Sequence, residues 1–344
     1  LIKQFEKWGL FANVIGEVIS KKEVIISQNN QIVAKIPTSA LSDETPINNH
    51  NVIKETPNFL LEKWKWSEDK LPLVTKNSII SLKDKKLYSL SEIILELLSN
   101  PSIGSKSWVY NQYDSQVQLN TVFKPGESDA AVVRLRQQDE KNKSKIFSGV
   151  AASVDCNSRW VLLDPYRGSI AAVAESARNV SCTGAEPIAI TNNLNFSSPE
   201  TDIGYWQLSS SCDGISEACI ALETPVTGGN VSLYNESLNA KNQLTPINPT
   251  PVIGMVGTIK NVNKAISTGW KNINDQIWII GSISSESTIG ASSYLEYFHG
   301  LVTGRPPKID LQDEKFCQSF LRDGILKNYI ISSHDVSDGG LAVA

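Results

Sequence analysis

The strongest constraint on the fold lies between residues 129 and 259, where apolar runs with β spacing alternate with segments of helical spacing. Residues 129–135 read as a strand preceded by Pro125-Gly126. Residues 148–154 and 159–163 read as two more strands, joined by the turn Asp155-Cys156-Asn157-Ser158. Residues 169–182 have helical spacing and a face of small residues, Ala171, Ala172, Ala174 and Ala177. Glu186-Pro187 leads into a buried strand, Ile188-Ala189-Ile190, and residues 200–222 read as a long helix. Pro225-Val226-Thr227 runs into Gly228-Gly229-Asn230, and residues 251–259 read as another strand. Strands and helices in this order predict a mixed α+β domain, because each element must bury one face against another.

The flanks are less regular. Residues 14–19, 23–26 and 31–37 read as strands, with Asn29-Asn30 as a hairpin turn between the last two. Residues 42–58 form a polar connection. Residues 91–99 are an amphipathic helix closed by Asn100-Pro101, since proline disfavours helix in the residue before it. Beyond residue 275 the spacing predicts a strand over 276–280, helices near 291–298 and 313–326, and a buried strand over 329–332. The chain starts with Leu1 and stops at Ala344, where a helix is beginning, so further sequence is expected on both sides.

Composition narrows the function classes. With 41% hydrophobic and 20% charged residues among 344, the chain is globular rather than disordered. A formal net charge of -4 supplies no global positive field for nucleic acid or an anionic membrane. The mixed-sign charges of residues 134–145 read as a solvated loop. No apolar run approaches the roughly 18 residues that span a bilayer. The five cysteines, Cys156, Cys182, Cys212, Cys219 and Cys317, show no CxxC spacing and no histidine at metal-ligand spacing, so they read as reduced thiols of a cytoplasmic protein.

Four segments carry chemistry. In Thr227-Gly228-Gly229-Asn230-Val231-Ser232, paired glycines permit a tight turn whose N–H groups cradle phosphate, the Asn230 oxygen suits Mg²⁺, and the Ser232 hydroxyl can donate to an anion. The same residues also suit a simple β-turn with asparagine in the left-handed region. A strand ending in Thr191-Asn192-Asn193-Leu194-Asn195 delivers three amides where ligands converge in α/β sheets, or forms an Asn-rich exit turn. Asp129 either coordinates a cation or caps a turn. In His334-Asp335-Val336-Ser337-Asp338-Gly339-Gly340, Ser337 or Asp338 can cap a helix whose N-terminus binds an anion. Pairing of His334 with Asp335 is disfavoured, because adjacent strand residues face opposite ways. His50 and His299 read as surface residues.

Taken in order, these stretches resemble one family. Ser105-Lys106-Ser107-Trp108-Val109-Tyr110-Asn111-Gln112-Tyr113-Asp114, Asp164-Pro165-Tyr166-Arg167-Gly168, Ala172-Val173-Ala174-Glu175-Ser176-Ala177-Arg178-Asn179, and the runs at 184–196, 228–236, 250–254 and 334–340 are similar to the C-terminal portion of phosphoribosylformylglycinamidine synthase, in its smaller multi-subunit form. The resemblance covers essentially the whole chain.

It implies an α+β, duplicated architecture like that of aminoimidazole ribonucleotide synthetase, in which an ATP-binding-type domain precedes a C-terminal domain. Residues 1–50 would end the C-terminal domain of the first half and residues 51–100 would connect. Residues 101–262 would be the second ATP-binding-type domain, and 263–344 the start of its truncated partner. The implied reaction joins formylglycinamide ribonucleotide, ATP and ammonia to give the amidine, ADP and phosphate, with ATP and Mg²⁺ as cofactors. The implied partners are a glutaminase subunit, PurQ, and the small PurS subunit. By position, Asn192 and Gly229 resemble ATP contacts, Asn230 the Mg²⁺ ligand and Ser232 a substrate contact. Many relatives have aspartate where this chain has Asn192, which removes a charge. The catalytic histidines of the family lie in the first half, so none is assigned here. The duplication also allows this half to hold a nucleotide without turning it over, and a relative of the same fold, such as a selenophosphate synthetase, is a third reading.

Overall fold

The computed structural model describes residues 1–47, 49, 53–72, 78–136, 147–281 and 289–344. Leu1–Asn51 and Val52–Ala344 form two compact units. His50 and residues 137–145 of the charged loop lie outside the described residues.

In the first unit a short helix, α1 (Ile2–Glu6), precedes an antiparallel hairpin of β1 (Glu23–Gln28) and β2 (Gln31–Pro37). Asn29 and Asn30 both take positive φ, 50° and 61°, which matches the twist of a two-residue hairpin turn. Residues 14–19 are not a strand: Val14, Ile15 and Val18 are almost fully exposed. Their β-branched side chains favour extension, but no strand among the described residues pairs with them, and an unpaired strand is not stable.

The second unit opens with α2 (Asn58–Trp64), a small hairpin of β3 (Ser78–Ile80) and β4 (Leu87–Ser89), and α3 (Leu90–Ser99). Ser89 and Glu92 form a reciprocal capping box that starts α3, and Ile93 is its buried residue. After the single turn α4 (Ser107–Tyr110) comes the main sheet. Its strands are β5 (Ala131–Arg134), β6 (Gly149–Asp155), β7 (Glu186–Asn195), β8 (Val226–Ser232) and β11 (Thr250–Ile259). A separate small hairpin, β9 (Glu236–Leu238) and β10 (Leu244–Pro246), links β8 to β11. The sheet order is β5-β6-β11-β7-β8; every pair is antiparallel except β7 with β8.

Two long helices cover one face. These are α6 (Pro165–Cys182) and α7 (Asp202–Leu222), with α8 (Leu311–Leu326) packed beside α6. The expected small-residue face of α6 lets it sit close on the sheet. Val173, Ala177 and Val180 pack with Val132, Ala151, Ile253 and Met255 in the core. Burial alternates along β11, as expected of a strand with one face covered. On the opposite face Val133 and Val154 are exposed.

The short helix α5 (Ser158–Leu163) replaces the strand expected at 159–163. The Asn157 side chain accepts the Trp160 N–H and starts a helix, and this local cap overcomes the β preference of Trp160 and Val161. Asp164 then caps α6, with Pro165 in its first turn. Asp164 is 2% exposed and also accepts the Arg305 guanidinium at 2.7 Å, which lies over the Trp64 ring.

Three further expectations fail. Residues 276–280 and 329–332 form no strand, because neither run has a neighbour among the described residues to complete a ladder, and Trp278 and Tyr329 are exposed. His299 is buried, not at the surface: its Nδ1 accepts the Leu82 N–H and its Nε2 meets the Tyr294 hydroxyl at 2.8 Å.

Candidate functional site

The site begins with the parallel pair at the edge of the sheet. β7 and β8 are joined through α7, a crossover that brings two distant segments into register. Asn192 stands opposite Gly229, Asn193 opposite Asn230, and Asn195 opposite Ser232. All four expected site residues therefore lie within a few residues of one another at one edge.

Their side chains divide between the two faces. Asn192 faces the helices and lines a cavity of about 550 Å³ with Ile215, Cys219, Ile220, Pro225 and Val226. Alternation puts Asn193 and Asn195 on the uncovered face. There the Asn230 amide donates to Asn193 Oδ1 at 3.3 Å, and Ser232 follows two residues along. Gly228-Gly229 is not the expected turn, since both glycines are within β8 at ordinary negative φ. A Cβ at Gly229 would overlap the Asn192 carbonyl and side-chain oxygens, so a side chain is excluded by close strand approach rather than by backbone angle.

Asn230 and Asn193 offer neutral, hard oxygen atoms. Such a set fits Mg²⁺ whose remaining positions are filled by phosphate oxygens and water, the usual arrangement for this ion.

A second cluster was not legible as a unit. Asp129, His334 and Asp335 have ligand atoms within 4.8 Å of one another. His334 Nδ1 lies 2.6 Å from Asp129 Oδ1 and 4.0 Å from Asp335 Oδ1, so the histidine pairs with the distant aspartate and not with its neighbour in sequence. Ser337 donates to Asp335 at 3.2 Å, and neither Ser337 nor Asp338 caps a helix. One face of α6 adds Glu175, Arg178 and Asn179, and the end of β6 adds Asp155, which accepts the Asn179 amide at 2.9 Å. Arg178 binds Glu314 at 2.9 Å and approaches Asp335 at 3.5 Å.

This cluster is short of positive charge. Burial, reinforced by Asp155 and Asp335, pushes the Glu175 carboxyl up to about 8. Burial, with Asp129 beside it, pushes Asp335 up to about 6. The hydrogen bond that His334 donates to Asp129 raises the histidine. Asp155 Oδ2, Asp335 Oδ2 and Asn179 Oδ1 are buried with no hydrogen-bond partner among the described residues. Buried oxygens of this kind are costly unless a cation or water meets them. Asp129 and the His334-Asp335 segment were each legible alone, and Glu175 and Asn179 left the further signal of two polar residues one helical turn apart on a helix with a small-residue face.

Comparison with known proteins gives the frame. Residues 127–259 match the family "AIR synthase related protein, N-terminal domain". The chain is 83% identical over all 344 residues to phosphoribosylformylglycinamidine synthase subunit PurL of Prochlorococcus marinus subsp. pastoris strain CCMP1986, and covers 44% of that relative. Along its whole length the chain is similar to PurL. Another PurL, from P. marinus strain NATL1A, is 55% identical over 99% of the chain and 43% of its own length. The chain thus spans less than half the length of these PurL relatives.

Among solved structures it resembles PurLQS from Thermotoga maritima, with a TM-score of 0.50 and 26% identity over 77% of this chain and 36% of that one. T. maritima PurL complexed with FGAR matches with a TM-score of 0.50 and 27% identity, over 77% of this chain and 35% of that one. The α+β sheet described above is therefore the AIR synthase-like fold of PurL, and the matched domain runs from just before β5 to the end of β11.

Proposed function

We propose that this chain is part of the synthetase subunit of phosphoribosylformylglycinamidine synthase. It would act on formylglycinamide ribonucleotide, ATP and ammonia to give formylglycinamidine ribonucleotide, ADP and phosphate. The observation that carries the reading is the β7–β8 register, which gathers Asn192, Gly229, Asn230 and Ser232 at one sheet edge. An amide carbon is a poor electrophile and its oxygen a poor leaving group. Transfer of the γ-phosphoryl group to that oxygen turns it into phosphate, which ammonia can displace. Mg²⁺, when bound, neutralises charge on the phosphates. Asn230 would supply an oxygen ligand to it, and Ser232 would donate to the ribonucleotide. Gly229 keeps the edge free of side chain, and Asn192 would meet ATP as a neutral amide.

In this reading residues 1–50 end a preceding half, 101–262 form the ATP-binding-type domain, and 263–344 begin its partner. A glutaminase subunit and a small third subunit would deliver ammonia, as the PurLQS assembly of T. maritima suggests by its composition. A cytoplasmic setting fits the five free thiols.

The test is ADP release by the complete polypeptide with the ribonucleotide, ATP, Mg²⁺ and a high ammonium concentration. Release should depend on the ribonucleotide and fall at least about tenfold in Asn230→Ala and in Ser232→Ala, the loss expected for a contact to a charged group. Undiminished variants would leave this half as a nucleotide holder, and an inactive parent would overturn the assignment.

One observation favours a second role beside the first. The buried Asp155 and Asn179 oxygens that accept no hydrogen bond, beside the Glu175 carboxyl, suit a divalent cation bound to a nucleotide that is held without turnover. In that role Glu175→Gln would weaken Mn²⁺ binding, read by its paramagnetic effect on water relaxation, while ADP release keeps its rate. Unaltered Mn²⁺ affinity would remove this second role.

A further inference from the structure

Ser232 ends an exposed edge strand, and a serine hydroxyl there would ordinarily rotate freely. Here it does not. Asn235 lies three residues on, beyond Tyr234, whose φ of +59° folds the chain back. Ser232 Oγ is 3.3 Å from Asn235 Nδ2 and 3.4 Å from Asn235 Oδ1. The amide itself cannot turn over. Its Nδ2 also donates to the Ser232 carbonyl at 2.8 Å and to the Phe196 carbonyl at 3.1 Å. The Asn235 backbone N–H donates to that same Phe196 carbonyl, and its own carbonyl accepts from Ile247. Phe196 is fully buried, so the amide is anchored to the rigid end of β7.

This geometry gives the hydroxyl two settings. When it donates to Asn235 Oδ1 its proton is turned inward. When it shares, as a second acceptor, an Nδ2 hydrogen already given to a carbonyl, its own proton is free to point at a ligand oxygen on the open face. We propose that Asn235 is a positioning residue that holds the Ser232 hydroxyl ready to donate to an oxygen of the ribonucleotide substrate. The inference rests on the reading that Ser232 contacts that substrate. Asn235 itself touches no reacting atom. Its effect should therefore appear in the affinity for the ribonucleotide, and only while Ser232 is present.

The experiment is steady-state kinetics of the complete ammonia-dependent enzyme, with KM measured separately for the ribonucleotide and for ATP. Four variants are compared: Ser232→Ala, Asn235→Ala, Asn235→Asp, and Ser232→Ala with Asn235→Ala. Each single change should raise the ribonucleotide KM about tenfold and leave the ATP KM unchanged, as for loss of one hydrogen bond to an anionic ligand. Asn235→Asp keeps the turn's acceptor but loses the Nδ2 donor, and it carries the test if Asn235→Ala fails to fold. The double variant should be no worse than Ser232→Ala alone, because the two residues act as one unit. A multiplicative, about hundredfold rise in the double variant would overturn the proposal, as would an unchanged ribonucleotide KM in Asn235→Asp. If Ser232→Ala alone leaves KM unchanged, the reading beneath the proposal fails, and the proposal with it.

Discussion

A methyl group added at Gly229 would overlap Asn192, whereas one added at Gly228 meets no atom within 4 Å. Gly229→Ala should therefore push β8 from β7 and destabilise the complete subunit by roughly 1–3 kcal/mol, with Gly228→Ala close to neutral. Urea unfolding of the two variants side by side checks this, and equal midpoints would contradict it. Charge at a single residue gives a second prediction. The folded state holds the Glu175 proton up to about pH 8, against an ordinary value of 4.5, because burial disfavours its charged form. The folded chain therefore binds more protons than the unfolded one between those values, and stability falls as pH rises through that window. Glu175→Gln removes this slope, so without divalent cation the variant should gain on its parent from pH 5 to 8. Thermal unfolding across that range, with and without Mn²⁺, reads the difference; parallel curves would sink it. The spacing of Gly229, Asn230 and Ser232 was legible because it is local. Which face each residue takes was not, since that depends on the register with β7. The pairing of Asp129 with His334 spans 205 residues and leaves no local trace.

At the scale of elements, α6 is held by the group at its N-terminus. Asp164 accepts the Arg167 N–H at 3.0 Å and the Arg305 guanidinium at 2.7 Å, which ties the helix to the segment leading into α8. Asp164→Ala should cost roughly 2–4 kcal/mol, more than a cap alone, because Arg305 loses its partner as well. Adding Arg305→Ala to it should cost little more, and additive losses in urea unfolding would count against the coupling. Elements with their own signals were legible: the Asn29-Asn30 hairpin, the proline-ended α3, the small-faced α6 and the long α7. Three of the failed strands share one cause. Residues 14–19, 276–280 and 329–332 have strand composition, but a strand exists only when a neighbour supplies the other half of its ladder. The segment 159–163 failed differently, because the Asn157 side chain accepts the Trp160 N–H and starts a helix on an apolar run.

For the whole molecule, the decisive quantity is apolar surface left in water. Trp270, Ile273, Ile277, Trp278 and Ile279 are all more than two-thirds exposed within ten residues, and Val133 and Val154 add to the bare sheet face. Patches of this kind drive association. The 344-residue chain expressed alone should elute as concentration-dependent oligomers or aggregate in size-exclusion chromatography with light scattering; a monodisperse monomer at micromolar concentration would contradict this. A net charge of -4 opposes association only weakly and less still in salt. The crossover through α7 has a consequence for synthesis. The strands that carry the candidate site pair in parallel, so no hairpin can bring them together. A chain still growing from the ribosome has made Asn192 and Asn193 long before Gly229 and Asn230 exist to face them, and all of α7 must emerge and fold first. A half-made chain thus has no paired edge to present, and this region assembles in a single late step of translation.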